Sequence, residues 1–153
     1  MRKITSLLML LCLIFIGQSI NAQVVVTTVT AEKKYTFECR SSEAHSTNRF
    51  LAETGGALNG QSSTPTAFTF ETAGEGTWYL KSLESGKYVN ATGAGTTVTL
   101  DETATTAWTV GQINATDNYV YLSMGTNLYL NNNDGGTNHI KIATHNPITA
   151  GNA

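Results

Sequence analysis

Cysteine and proline are almost missing from this chain, with two of each in 153 residues, and charged residues make up only 13% of it. Cys12 lies in the N-terminal apolar stretch, which leaves Cys39 alone in the remainder. A lone cysteine excludes an intramolecular disulfide and offers no cysteine pair for a structural zinc site. Positive charge is scarce and unclustered, which excludes nucleic acid as a partner, because phosphate backbones reward grouped lysine and arginine. After Ile16 no apolar run approaches the roughly 20 residues that a spanning helix requires. A sustained 3.6-residue apolar period is also absent, which argues against a helical bundle. Stability must come from a packed core built of strands.

The first residues form a leader. Arg2 and Lys3 give a short basic start, Leu7 to Ile16 is apolar, and Asn21-Ala22-Gln23 offers a small residue before a cut. A signal peptide spanning residues 1–22 and cleaved after Ala22 is expected, making the mature chain secreted, periplasmic or displayed at the cell surface. Leu11 precedes Cys12 where a lipidated cysteine would need a small neighbour, so no lipid anchor is expected. Removing the leader, with Arg2 and Lys3, leaves 131 residues carrying seven Lys and Arg against eleven Asp and Glu. That length suits one small domain, residues 23–153. It is rich in Thr, Val and Tyr, which favour a pleated surface, and in Gly and Asn, which favour turns, so the expected class is all-β.

Internal repetition organises the chain. Three aromatic-led or aliphatic segments, Tyr35-Thr36-Phe37, Trp78-Tyr79-Leu80 and Tyr119-Val120-Tyr121-Leu122, each open a unit. A second segment follows: NRFLAETGG from Asn48, GKYVNATG from Gly86 and NLYLNNNDGG from Asn127, with Phe50, Tyr88 and Tyr129 at matching places. The third alternates, as Ala57-Leu58-Asn59, Thr97-Val98-Thr99-Leu100 and His139-Ile140-Lys141-Ile142. The fourth is PTAFTF at 65–70 and TTAWTV at 105–110, with Phe68 and Trp108 separated by 40 residues. Ala153 falls where the third aromatic would come next, so the last strand is expected to run past Ala153. A natural open end filled by Val24 to Val29 is the alternative.

Three four-stranded units, roughly 34–76, 77–118 and 119–153, are what a β-trefoil requires: one unit cannot bury its apolar face alone, and three close a barrel. Phe37, Leu80, Leu122, Phe50, Tyr88, Tyr129, Phe68 and Trp108 are then expected mainly in the core. A seven-strand sandwich is the rival architecture, but it does not call for a threefold repeat.

The order of aromatic-led strand, G-K-Y-V-N, alternating strand and A-W-T-V resembles the ricin-type β-trefoil lectin modules, over about Lys34 to Ala153. The likeness is particularly to those on exported proteins of Bacteroidetes-like bacteria, many of which are glycoside hydrolases. Trp108 stands at the family's closing Q-x-W tryptophan, but Thr106, and Thr66 ahead of Phe68, replace the glutamine. The resemblance implies a non-catalytic carbohydrate-binding module, forming the N-terminal part of a larger glycan-acting enzyme. It needs no cofactor, and its partner is a glycan. The alternative is a structural or protein-interaction module that binds no sugar.

Candidate sites follow from chemistry and from that resemblance. A calcium loop needs alternating oxygen ligands closed by a distant acid, but aligning Asp134-Gly135 with that pattern puts Leu130 at its first ligand. Asp134-Gly135 suits a hairpin turn instead, as do Gly55 and Gly93 in the other units. A neutral sugar asks for amide or carboxylate hydrogen bonds beside an aromatic face. The family's polar place after the second strand's aliphatic residue falls on Asn131 and Asn90, and on Ala52 in the first unit, where the usual residue is Asp. Its Asn before the third strand falls on Asn138. The expected carbohydrate-binding set is therefore Asn131, Asn138, Asp134, His139 and Tyr129, with Asn90 as the second-unit counterpart. His45, His139 and His145 match no metal-ligand spacing. Glu71 and Glu75, placed on a turn between units, are the pair to weigh for glycoside hydrolysis, but solvated charge is the ordinary outcome there. Asn90-Ala91-Thr92 and Asn114-Ala115-Thr116 fit the glycosylation pattern, which a bacterial source would leave unused.

Overall fold

A computed structural model describes residues 28–38, 50–112, 120–132 and 140–144, and among these there are eleven strands and no helix. The strands are β1 (Lys34–Tyr35), β2 (Phe50–Thr54), β3 (Ala57–Ser62), β4 (Phe68–Gly74), β5 (Thr77–Ser82) and β6 (Tyr88–Asn90), then β7 (Thr99–Asp101), β8 (Thr109–Gln112), β9 (Val120–Ser123), β10 (Tyr129–Asn132) and β11 (Ile140–Ala143). They form a five-stranded sheet in the order β1-β4-β5-β6-β7, a four-stranded sheet β11-β10-β9-β8, and the hairpin β2-β3. The chain is all-β, as its composition requires. No helix among the described residues is long and apolar enough to cross a membrane.

Strand pairing recurs at matching sequence positions. In the β4–β5 ladder Thr69 faces Lys81, Phe70 faces Leu80 and Glu71 faces Tyr79. In the β8–β9 ladder Thr109 faces Ser123, Val110 faces Leu122 and Gly111 faces Tyr121. The first segment of a unit also meets the fourth: Tyr35 pairs with Phe68, and Trp78 bridges to Trp108 through backbone bonds of 2.8 and 2.7 Å. The second and third segments form hairpins, β2–β3, β6–β7 and β10–β11. At the first of these Gly55 and Gly56, both at positive φ (60° and 80°), make the turn between Thr54 and Ala57. The fourth segment of the last unit, and residues 24–27 of the stretch weighed as its substitute, lie outside the described residues.

Apolar side chains from several strands meet in the core. Phe68, Phe70, Leu80, Val89 and Trp108 are fully buried, joined by Leu51, Leu58, Val98 and Leu122. The Trp108 indole N–H donates to the Val89 carbonyl at 3.0 Å, so the largest core side chain carries no unmet donor. Burying each such side chain stabilises the fold by about 1.5–3 kcal/mol. Phe37 packs against this core, edge-on to Phe68 and Phe70.

The expected core set needs a correction. Phe50, Tyr88 and Tyr129 are only half-buried, and the aliphatic neighbours Leu51, Val89 and Leu130 carry the core contact instead. Successive strand residues point to opposite faces, so the core takes one of each aromatic-aliphatic pair, and here it takes the second.

Candidate functional site

The face of the sheets turned away from the core carries an aromatic and charged surface. Along β5, Leu80 and Ser82 are buried while Tyr79 and Lys81 alternate to the other side. Glu71 lies opposite Tyr79, and Lys81 lies opposite Tyr88 of β6, which brings four polar and aromatic side chains together across three strands. Lys81 Nζ is 3.1 Å from Glu71 Oε1 and donates to the Tyr88 hydroxyl at 3.3 Å, and that hydroxyl donates to Glu71 Oε2 at 2.7 Å. The ammonium also sits 4.9 Å from the Tyr88 ring centroid, and Tyr79 meets that ring edge-on at 6.3 Å. The Tyr88 hydroxyl, and after it Lys81, hold the Glu71 carboxyl below its ordinary range against the opposing effect of burial. Glu71 and Tyr88 in turn raise the Lys81 ammonium.

The same ladder positions one unit later hold different residues. Gly111 lies opposite Tyr121, and Ser123 lies opposite Tyr129. A Cβ at Gly111 would overlap the Tyr121 ring at Cζ and Oη, so this ring lies across the β8 backbone in space that only glycine leaves. Tyr121 and Tyr129 meet edge-to-face at 5.5 Å and 85°. Asn131, two residues beyond Tyr129 on β10, is on the same face of the strand and half-buried.

Of the expected sugar-binding residues, the structure therefore brings Tyr129 and Asn131 onto one face. Asp134, Asn138 and His139 lie outside the described residues, as do His45 and His145 and the turn at Asp134-Gly135. Asn90 stands apart and is 4% exposed. Its Nδ2 donates to the Thr103 carbonyl at 2.8 Å and to Asp101 Oδ2 at 3.2 Å. Its Oδ1 accepts from the Thr105 and Thr106 N–H groups at 2.9 and 3.1 Å. All four positions of the amide are used, so Asn90 anchors the 101–106 segment and has nothing left for a ligand. Thr99 first, and then Asn90, hold the Asp101 carboxyl below its ordinary range. Ala52, the first-unit counterpart, is buried.

Two further expectations change. Glu71 is not on a turn between units: it is paired within β4 and engaged by Lys81 and Tyr88, while Glu75 lies at the turn after it. The threonines at the glutamine position are buried clasps. Thr106 Oγ1 accepts from the Ala91 N–H at 2.8 Å and donates to the Ala91 carbonyl at 3.0 Å. Thr66 Oγ1 accepts from the Glu53 N–H at 2.8 Å and donates to Glu84 Oε2 at 2.9 Å. A second acidic network surrounds this clasp, with Ser82 and Ser85 both donating to Glu53 Oε2, at 2.6 and 2.8 Å.

Sequence reasoning missed Tyr79, Tyr121, Lys81 and Gly111. The signal was the period-2 alternation around Leu80 and Leu122, which sends the neighbouring tyrosine of each strand to the outer face. No protein-family model, no curated protein and no solved structure matches the chain.

Proposed function

We propose that this chain is an exported, non-catalytic carbohydrate-binding module with β-trefoil architecture, of the kind its ricin-type resemblance implies. Support for the architecture is the recurrence of first-to-fourth segment pairing at Tyr35–Phe68 and Trp78–Trp108, together with three hairpins from the second and third segments. The observation that carries the function is the outward-facing Tyr121–Tyr129 pair with Asn131 on the same face. An aromatic ring takes the apolar C–H side of a sugar, and an amide exchanges hydrogen bonds with its hydroxyls. The glycan is held reversibly, without any bond being made or broken. The attached glycan-acting enzyme that goes with this reading is checked by reading the gene beyond Ala153.

A glycan array probed with the secreted protein tests the reading, and binding to at least one glycan class is expected. Tyr129→Ala and Asn131→Ala should then each weaken the signal. A folded, β-rich protein that binds nothing on the array would leave the structural-spacer alternative in its place.

A further inference from the structure

The two outer tyrosine pairs occupy corresponding ladder positions but differ in what faces them. At the first, Tyr88 is engaged from three sides: Lys81 Nζ stands over its ring, the Tyr79 ring meets it edge-on, and its hydroxyl is committed to Glu71 and Lys81. A pyranose that stacks on tyrosine needs a ring face that its C–H groups can reach, and the ammonium, 3.3 Å from the hydroxyl and 4.9 Å from the centroid, crowds the hydroxyl end of one face. At the second pair, Gly111 stands where the first has Glu71, and Ser123 stands where it has Lys81. Glycine has no side chain and serine is too short to reach over a neighbouring ring, so nothing at these two positions reproduces the cover on Tyr88.

We infer that the Glu71–Lys81 ion pair closes the first tyrosine pair to sugar, and that the cradle of Gly111, Tyr121, Ser123 and Tyr129 is the stacking site for a neutral pyranose. This deepens the carbohydrate-binding reading and rests on it. The site has no charged side chain at its four positions, so its occupant is recognised by its C–H face and hydroxyls, and its affinity is insensitive to salt. Lys81 and Glu71 act as a specificity device: they decide which of two similar aromatic pairs is in use.

The test is an NMR titration of the secreted protein with methyl glycosides of glucose, galactose, mannose and N-acetylglucosamine, following the tyrosine ring signals. At least one glycoside should shift Tyr121 and Tyr129 and leave Tyr79 and Tyr88 in place. Lys81→Ser, which copies the residue at position 123, should then bring Tyr88 and Tyr79 into the response. Glu71→Ala serves the same purpose should the first variant lose its folded spectrum. Wild-type shifts at Tyr88 as large as those at Tyr129 would overturn the inference, as would a folded Lys81→Ser protein whose Tyr88 stays silent. Array binding with no tyrosine shift overturns the inference alone, because the sugar then sits elsewhere. A blank array removes the carbohydrate reading and the inference together.

Discussion

Asn90 illustrates how a single amide becomes structural. Its two N–H donors and two acceptor positions all meet partners that arrive from residues 101–106, so truncation leaves the N–H groups of Thr105 and Thr106 and the Thr103 carbonyl without their bonds. Asn90→Ala should lower unfolding stability by on the order of 3 kcal/mol while leaving glycan affinity unchanged, as chemical denaturation and array binding would show. An aspartate here would also fit badly, since it offers no donor to Thr103 and sets a second carboxylate beside Asp101. None of this was legible in the sequence, where Asn90 and Asn131 look alike, because the partners of Asn90 come from a segment that folds back from eleven to sixteen residues away. Thr69 is the opposite case. Its Oγ1 is buried without a partner among the described residues. Thr69→Val removes that unmet hydroxyl at nearly constant shape and should raise stability by about 1 kcal/mol in the same denaturation assay.

At the scale of the element, β4, β5 and β6 share a charged ladder on their outer face. Glu71 has a folded-state pKa below its ordinary value of 4.5, so its contribution to stability is complete above that value and is lost as pH falls through it. Lys81, raised above its ordinary value of 10.5, contributes fully below that value and loses its contribution only in strong alkali. Between these limits the pair is intact. Glu71→Gln should therefore flatten the acid side of the stability-against-pH curve and, because Glu71 is the main cause that raises Lys81, also weaken the loss in strong alkali. Added salt should narrow the difference between variant and wild type, because both side chains are partly solvent-exposed (28% for Lys81 and 38% for Glu71). The strands themselves were readable from alternating patterns, and the glycine turn at Gly55 from its composition. Which face each aromatic takes was harder to read: in Tyr88-Val89 both residues suit a core, and the choice follows from pairing with β5 and β7, which a single segment does not encode.

For the whole molecule, the all-β class and the recurrence of segments were legible because composition and spacing act over the entire chain. Trp108 shows what that recurrence protects. It is fully buried, bonded through its indole to Val89, and bridged through its backbone to Trp78, so it ties the fourth segment of one unit to the first and second. Trp108→Ala should cost about 3–5 kcal/mol. A domain of this size holds about 5–15 kcal/mol in all, so thermal melting should show a sharply lowered midpoint or no cooperative transition.

The hydroxyl of Thr66 leads to a different kind of consequence. Thr106 donates its hydrogen bond to the Ala91 carbonyl within its own unit, whereas Thr66 donates to Glu84 in the next one. Ser82 and Ser85 donate the other way to Glu53, so hydrogen bonds cross the boundary between the first two units in both directions. Opening one side alone breaks these bonds and takes the carboxylate partners from the buried hydroxyls of Thr66 and Ser82. The two blocks should therefore exchange their most protected amides with deuterium at one common rate, and Thr66→Ala should split that rate into two. A shuffled gene that carried either block alone would inherit an unfinished edge.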